Sequence, residues 1–388
     1  MDQFFSRCRL PNLMIPTKNK NKSRSSSRAG LSARRHPLAT LLALVALLLC
    51  LAAQQPAGWL DRPPVGDDGK GVGKPIARRV LALYYPWYAT PAVSRRWAHY
   101  DGVEPANKRI VSHAHYPAGG PYDSTDPAVI ERHLRQAKEA GIDTLVCSWW
   151  GRQDTTDRAI RLLIDRAPAH GLTVCIYWER LQPQPDRLAA TADLAYLLRT
   201  FGSKPGCLRL SGKPVLFLYA GLCRSLPASE WEQALGAAQS RYLAGFIAIG
   251  SGDRLADALL WDGLHALDID GPMQQKDPAA AAALLHERFL PANRLARRLG
   301  HIAIETVIAG YDDRKSNATS GIPRRSFVDR ADGALYRALW SQAIADQPDW
   351  ILLDSFNQWH NGTEIEPSAE LGDRYLRQTA EQSATFKR

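Results

Sequence analysis

Short hydrophobic runs alternate with longer amphipathic stretches along the chain from residue 78 onward. Each run is almost continuously apolar, which is typical of strands buried on both faces of a parallel sheet. The eight runs span residues 79–85, 143–150, 172–178, 214–220, 244–250, 264–270, 302–310 and 350–356. Six intervening stretches show helical periodicity, at residues 126–141, 155–171, 186–202, 229–243, 278–300 and 333–347. The pattern predicts an α/β fold, a (β/α)8 TIM barrel over residues 78–388, in which the short link between runs five and six forms a degenerate unit.

The residues that end each run are predicted to form the functional site, because active sites of such barrels lie at the carboxyl ends of the strands. Aromatic, acidic and amide side chains crowd these positions. Such a set suits a polyhydroxylated ligand, since sugar rings offer C–H faces to aromatic rings and hydroxyl edges to polar groups. Any single Tyr or Trp has the alternative role of filling the barrel mouth. The candidate ligand-binding residues are Tyr84, Tyr85, Trp87, Trp149, Trp150, Tyr219, Tyr311, Asp312, Asn357, Trp359 and Glu366.

The first 77 residues read as a targeting region rather than as part of the barrel. Residues 1–37 are basic and Ser-rich and predict a disordered region, and residues 38–53 form an uncharged apolar run. A spanning helix needs about 20 residues and a signal h-region about 7–15, so this run fits either a transmembrane signal anchor or a cleaved signal. The Gly-, Pro- and Asp-rich stretch 54–77 reads as a linker. We expect a single-pass membrane protein with an extracytoplasmic barrel, or a secreted or periplasmic protein.

Charge and motif content exclude several classes of protein. The formal net charge is +10, but most of it lies in residues 1–36, which hold nine Lys and Arg and one acid. The remainder is near neutral, which argues against a nucleic-acid partner. The sequence contains no GxSxG elbow, P-loop, HExxH or Rossmann fingerprint. No spacing of His and Cys suggests a metal site, and no cofactor is predicted.

Several ordered segments together resemble glycoside hydrolase family 99, the endo-α-mannosidases and their relatives, over residues 79–370. They are YYPWYATP with WAHY, HYPAGGPYDSTDP, HLRQAKEAGIDTLVCSWW, GKPVLFLY, VIAGYDDR and the closing SFNQWHNGTEIEPS at 355–368. The resemblance implies a (β/α)8 barrel that carries a retaining, endo-acting hydrolase without a metal in its chemistry. It implies an oligosaccharide or polysaccharide with α-linked mannose or glucose as the partner.

The sequence departs from the family pattern at the centre of the closing motif. The family carries Glu at the positions of Gln358 and Asn361, where one acid deprotonates the 2-hydroxyl of the substrate and the other protonates the leaving oxygen. Neutral amides form hydrogen bonds but do not titrate in the working range of pH. Loss of each acid or base costs roughly 10²–10⁴ in rate, so the family mechanism is expected to be all but abolished.

Three other side chains are candidates to take over the proton chemistry. Glu364 stands where the family usually has Gln, and Glu179 matches a family Glu that contacts the substrate. His360 is shared with the family and is flanked by the two amides. A relocated acid pair such as Glu364 with Glu179 is one hypothesis. The alternatives are that Glu364 and Glu366 only orient the loop and that His360 makes a structural hydrogen bond.

These observations leave three interpretations of function. The first is a divergent glycoside hydrolase that uses other carboxylates. The second is a catalytically inactive protein that binds carbohydrate in the retained cleft. The third is a membrane-associated factor in polysaccharide assembly, for which no nucleotide-binding motif is present.

Overall fold

The computed structural model describes residues 76–181, 184–252, 255–266, 269–316 and 326–388. The predicted disordered region 1–37, the apolar segment 38–53 and nearly all of the linker 54–77 lie outside these residues. Among the helices of the described ranges, none combines the length and the hydropathy of a transmembrane segment.

Eight parallel strands form a closed ring, which confirms the predicted barrel. They are β1 (Arg79–Tyr84), β2 (Thr144–Trp149), β3 (Thr173–Trp178), β4 (Lys213–Leu218), β5 (Ile247–Ser251), β6 (Gly263–His265), β7 (Ile302–Ile308) and β8 (Trp350–Asp354). Neighbours in the chain are neighbours in the ring, and β8 pairs with β1 to close it. The closing register sets Trp350 opposite Arg79 and Leu353 opposite Ala82.

Side chains alternate between the inside of the ring and the surrounding helices, because successive residues of a strand point to opposite faces. In β1, Leu81 and Leu83 belong to the central apolar cluster. In β3 and β8, the same cluster includes Tyr177 and Leu352. The next position of the same parity along each strand therefore points into the mouth of the barrel.

A helix follows every strand, and the short unit between β5 and β6 is present as a helix of only six residues. The helices are α1 (Pro127–Glu139), α2 (Thr155–Arg166), α3 (Arg187–Leu197), α4 (Ala228–Arg241), α5 (Leu255–Leu260), α6 (Pro278–Arg298), α7 (Ala334–Asp346) and α8 (Arg374–Phe386). Helix α8 was not among the predicted stretches. It packs at the amino end of the barrel, where Ser383 Oγ donates to the carbonyl of Ala140 at 3.1 Å.

Four helices begin at an aspartate whose carboxylate accepts a hydrogen bond from the backbone of the first turn, which satisfies an otherwise unpaired N–H group. These aspartates are Asp126, Asp154, Asp186 and Asp277. In α1 and α6 a proline follows directly, and its fixed φ suits the first helical position. The sequence predicted this start for α1.

Several short strands and helices lie in the loops at the carboxyl end of the barrel. The strands Tyr311–Asp312 and Phe327–Val328 pair in antiparallel fashion after β7 and place Tyr311 beside the mouth. Two further short strands, Val103–Glu104 and Arg109–Ile110, pair with each other, and short α-helices span Pro91–Ser94, Ala220–Cys223 and Asp270–Met273. The short strand Arg209–Leu210 instead pairs with the first residues of β4, at the amino end of the barrel.

Candidate active site

The carboxyl ends of the strands surround a cavity of about 260 Å³, which we call the mouth cavity. Its wall combines aromatic rings with acid and amide side chains from segments that follow seven of the eight strands. The lining residues are Tyr85, Trp87, Trp150, Tyr177, Glu179, Tyr219, Asp270, Tyr311, Asp354, Gln358 and Asn361. Eight of them were predicted from the sequence: Tyr85, Trp87, Trp150, Glu179, Tyr219, Tyr311, Gln358 and Asn361.

Glu179 is the centre of a buried hydrogen-bonded chain at the end of β3. Ser148 Oγ donates to Glu179 Oε1 at 2.7 Å, and Trp150 Nε1 donates to Ser148 Oγ at 2.9 Å. Burial raises the pKa of Glu179 to about 8, and the negative charge of Asp354 adds to the rise, while the Ser148 hydrogen bond opposes it. Glu179 is therefore mostly protonated at neutral pH.

Gln358 and Asn361 face each other in the loop after β8. Asn361 Nδ2 donates to Gln358 Oε1 at 3.0 Å. The backbone positions them, since Ser355 Oγ accepts from the Gln358 N–H at 2.8 Å and the Asn361 carbonyl accepts from the Asp312 N–H at 2.7 Å. The pair presents fixed amide dipoles to the cavity.

The loop is tied to β1 through Asn357, which is fully buried. Its Oδ1 accepts from the Tyr85 N–H at 2.7 Å, and its Nδ2 donates to the Tyr85 carbonyl at 3.2 Å. Tyr88 Oη donates to the Asn357 carbonyl at 2.9 Å. Asn357 therefore positions the loop, and its predicted contact with a ligand does not fit this placement.

Tyr84 and Trp149 also differ from their predicted role, because both point away from the cavity. Tyr84 Oη lies 2.9 Å from His133 Nδ1 of α1, and Trp149 Nε1 donates to Asp157 of α2 at 2.9 Å. Each residue has the outward parity of its strand, so its ring packs between the sheet and the helices. Trp150, one residue later, has the inward parity.

Trp359 and Glu366 lie beneath the cavity in a buried polar network. Tyr122 Oη accepts from Trp359 Nε1 at 3.2 Å and donates to Glu366 Oε2 at 2.8 Å. Glu366 Oε1 lies 3.0 Å from His133 Nε2. These contacts support the loop from below, and neither residue lines the cavity as the sequence predicted.

Glu364 also lies outside the mouth cavity. Its carboxylate is 2.7 Å from His115 Nδ1 and accepts from Arg330 at 3.0 Å, with 1% of its side chain exposed. The same guanidinium donates to the carbonyls of Gly362 and Glu364. Of the two alternatives, orientation of the loop fits this geometry, and the relocated pair of Glu364 with Glu179 does not.

His360 is packed among rings behind the cavity wall. Its ring stacks parallel to Tyr88 at 6.1 Å and meets His113 edge-on at 4.7 Å. Burial, together with the neighbouring His113 and His99, holds the pKa of His360 well below its ordinary value. The ring is therefore neutral at physiological pH, and it meets Trp87 edge-on at 6.0 Å without lining the mouth cavity itself.

Asp312 borders a second cavity of about 260 Å³ on the far side of Tyr311. Arg314 donates to its carboxylate at 2.8 and 2.9 Å. Burial opposes ionisation, but the hydrogen bonds and charge of Arg314 lower the pKa of Asp312. Asp312 does not line the mouth cavity, where the sequence predicted a contact with a ligand.

The comparison with family models decides the identity of the barrel. Residues 75–375 match the model of glycosyl hydrolase family 99. The chain belongs to glycosyl hydrolase family 99.

Three similar proteins are all named as endo-alpha-mannosidases or as endo-alpha-1,2-mannosidase-like proteins. Glycoprotein endo-alpha-1,2-mannosidase of Rattus norvegicus is 25% identical to this family 99 chain over 325 residues, covering 75% of this chain and 68% of the rat protein. The glycoprotein endo-alpha-1,2-mannosidase-like protein of Homo sapiens is 26% identical over 328 residues, covering 74% and 67%. The GH99 endo-alpha-mannosidase structure from Bacteroides thetaiotaomicron, in complex with BIS-TRIS-propane, has 25% identity and a TM-score of 0.66, covering 80% of this chain and 97% of that one.

Three residues of this family 99 cavity were missed as site residues. Asp354 and Tyr177 share the inward parity of core residues in their strands, which almost continuously apolar runs do not reveal. Asp270 begins the short helix after β6. Its carboxylate accepts from Ser326 Oγ at 2.7 Å.

No group of three or more His, Cys, Asp and Glu in the described part of this family 99 chain is arranged to hold a metal ion. The wall of the mouth cavity offers three carboxyl groups, two amides and several aromatic rings, four of which carry a hydroxyl group.

Proposed function

We propose that this chain is a divergent family 99 glycoside hydrolase that acts on α-linked, mannose-containing oligosaccharides held in the mouth cavity. Family membership supports a carbohydrate substrate, and the names of the relatives favour α-linked mannose. The carboxyl groups in the cavity wall support hydrolysis by carboxylates other than the family pair.

The observation that carries the proposal is the composition of the cavity wall. Trp87, Trp150 and Tyr219 supply aromatic surface, while Glu179 and Asp354 supply carboxyl groups within the same wall. Aromatic faces beside a few convergent polar groups are the usual arrangement for binding a sugar ring. Glycosidic cleavage needs one group that donates a proton and one that accepts a proton or attacks.

On the family resemblance, Gln358 and Asn361 occupy the positions of the family acids. An amide neither donates a proton as an acid nor accepts one as a base near neutral pH. We therefore assign hydrogen bonding to sugar hydroxyls to this pair and assign the proton transfers to other groups.

A second candidate function is recognition of the oligosaccharide without cleavage. The hydrogen bond between Asn361 and Gln358 favours it, because a paired donor and acceptor hold each amide in one orientation toward a hydroxyl. This candidate shares the cavity and the ligand with the first and differs only in turnover.

Two variants test whether the mouth cavity binds the sugar. Replacement of Trp150 by Ala should weaken binding of an α-1,2-linked mannotriose by about tenfold or more, because the ring lines the cavity. Replacement of Trp149 by Ala should instead lower stability by roughly 3–5 kcal/mol, because that ring is fully buried between strand and helix.

Titration calorimetry gives the affinities, and thermal melts give the stabilities. Equal affinities for the wild type and the Trp150→Ala variant would contradict binding at this cavity. Chromatography of the same oligosaccharide after long incubation separates hydrolysis from binding alone.

A further inference from the structure

We propose that Glu179 and Asp354 form the acid–base pair of this cavity, with Glu179 donating a proton to the glycosidic oxygen and Asp354 activating the attacking water. This inference rests on the proposed function, since it assigns residues to the hydrolysis proposed above. Neither the family resemblance nor the sequence pattern of strand ends assigned a role to Asp354.

The first argument is the direction in which the Glu179 and Asp354 side chains point. Leu352 and Tyr177 belong to the central apolar cluster inside the ring. Asp354 and Glu179 follow them by two residues, so both carboxyl groups have inward parity at the mouth. Both line the same cavity, and each residue is less than 10% exposed.

The second argument is charge. Of the described residues that line the mouth cavity, none is Lys, Arg or His. Two buried carboxyl groups in one wall repel each other when both are charged, so the protonated form of one of them is favoured. The charges of both raise the pKa of the Tyr85 and Tyr177 hydroxyls, after burial as the largest cause.

The third argument is the protonation state of Glu179. Glu179 sits deep beside Ser148 and is mostly protonated at neutral pH, as its raised pKa of about 8 indicates. A carboxyl group that keeps its proton beside one that carries charge is the usual division between general acid and general base. The retained proton of Glu179 and its hydrogen bond from Ser148 assign the acid role to Glu179, just after β3, and the position of Asp354 in the same cavity wall assigns it the base role.

The remaining acids fit less well. Asp270 is only half-buried and accepts a hydrogen bond from Ser326 in a neighbouring loop. Glu364 and Glu366 are paired with basic side chains outside the cavity wall.

The reaction balances with water as the only co-reactant. The Glu179 proton moves to the glycosidic oxygen as the bond from the anomeric carbon to that oxygen breaks, and the bonding pair stays on the oxygen. The water oxygen forms the new bond to the anomeric carbon while its proton moves to Asp354. This single displacement inverts the anomeric centre, in contrast to the retention that the family resemblance implies. A proton then returns from Asp354 to Glu179 through solvent, so one glycoside and one water give two hydroxyl products.

The test compares two substrates that differ in their need for a proton donor. One is an α-1,2-linked mannose oligosaccharide, and the other is an α-mannobiosyl fluoride, whose fluoride leaves without protonation. The Glu179→Gln variant should lose about 10²-fold or more on the oligosaccharide and stay within about tenfold of the wild type on the fluoride. The Asp354→Asn variant should lose about 10²-fold or more on both, because activation of water is needed in each case.

The control is Glu305→Gln. Glu305 is another buried glutamate whose pKa burial raises to about 8, but it accepts a hydrogen bond from Asn293 of α6 and lies outside the cavity. Its variant should hydrolyse both substrates at the wild-type rate. If Asp354→Asn fails to melt cooperatively, Asp354→Ser takes its place, and the wild-type rate on the oligosaccharide should in any case fall above about pH 8.

The outcomes separate the inference from the proposed function. Hydrolysis at the wild-type rate by folded Glu179→Gln and Asp354→Asn variants would overturn the pair and leave the proposed hydrolase standing. A wild-type protein that binds the oligosaccharide but cleaves neither substrate would overturn both and leave recognition alone.

Discussion

Gln358 and Asn361 limit the chemistry of the mouth cavity, because both side chains are neutral amides that do not titrate near neutral pH. Their side chains lie within hydrogen-bonding distance. Two carboxyl groups that close could not both ionise, so one would keep its proton and the other would carry the charge. The same spacing therefore serves as a hydrogen-bonded amide pair here and would serve as an acid with its base in a Glu–Glu pair.

A gain of activity is the corresponding prediction. The Gln358→Glu, Asn361→Glu double variant should cleave α-mannosides at least about 10²-fold faster than the wild type, and either single change should do much less because acid and base act as a unit. Initial rates of release of reducing sugar give the comparison. A double variant that still binds the sugar but gains no rate would show that the site has diverged beyond these positions.

Strand parity explains which of the predicted residues line the mouth cavity and which do not. The hydrophobic runs located all eight strands, but an almost continuously apolar run does not show which of its residues point inward. The alternation seen in the structure separates Trp150 from Trp149 and Tyr85 from Tyr84, and it selects Asp354.

The conformation of the loop after β8 could not be predicted from the sequence, for a different reason. Its shape depends on contacts between residues far apart in the sequence, such as Asn357 with Tyr85 and Glu366 with Tyr122. No local pattern encodes those pairings. The sequence could name the residues of the loop, but their division between wall and support needed the tertiary structure.

Removal of the Asn357 side chain should therefore disturb the site from beneath. The Asn357→Ala change leaves the buried Tyr85 N–H without its acceptor, which should cost roughly 1–3 kcal/mol of stability. Sugar affinity should fall as well, because the loop carries Gln358 and Asn361. Melting and titration measure both effects, and Asn107→Ala, at an exposed hydrogen bond to Glu104, is the matched control. If the Asn357→Ala protein is less stable but binds the sugar with unchanged affinity, Asn357 does not position the loop for ligand binding.

At the scale of the whole molecule, the barrel should fold without the amino-terminal region. Strand β1 begins at Arg79, and the family match begins at residue 75. A protein lacking residues 1–57 should be soluble and should melt in one cooperative transition, since the segments predicted as anchor and linker precede the barrel. Calorimetry and limited proteolysis provide the check. An aggregated or protease-labile product would place the boundary of the folded domain further upstream.

The buried titratable groups predict how stability depends on pH. Burial lowers the pKa of His99 and His265 to about 4 and of His113 to about 3, so the unfolded chain binds more protons below about pH 6.5 and stability falls with acid. Burial raises the pKa of Glu179 and Glu305 to about 8, so the folded chain holds more protons above about pH 4.5 and stability falls as pH rises toward 8. Melting temperature should be highest near pH 6. The Glu305→Gln variant should lose less on the alkaline side, and an unchanged alkaline loss would contradict this account.

The hydrogen-bonded chain from Trp150 through Ser148 to Glu179 has an optical consequence. Indole fluorescence responds to nearby charge, and this indole N–H is separated from the carboxyl group by a single hydroxyl. Ionisation of Glu179 should therefore change the emission of Trp150, which a difference spectrum against a Trp150→Phe protein would isolate from the other ten tryptophans of the chain. Trp150 is thus an intrinsic fluorescent reporter of the protonation state of Glu179, and it requires no added label.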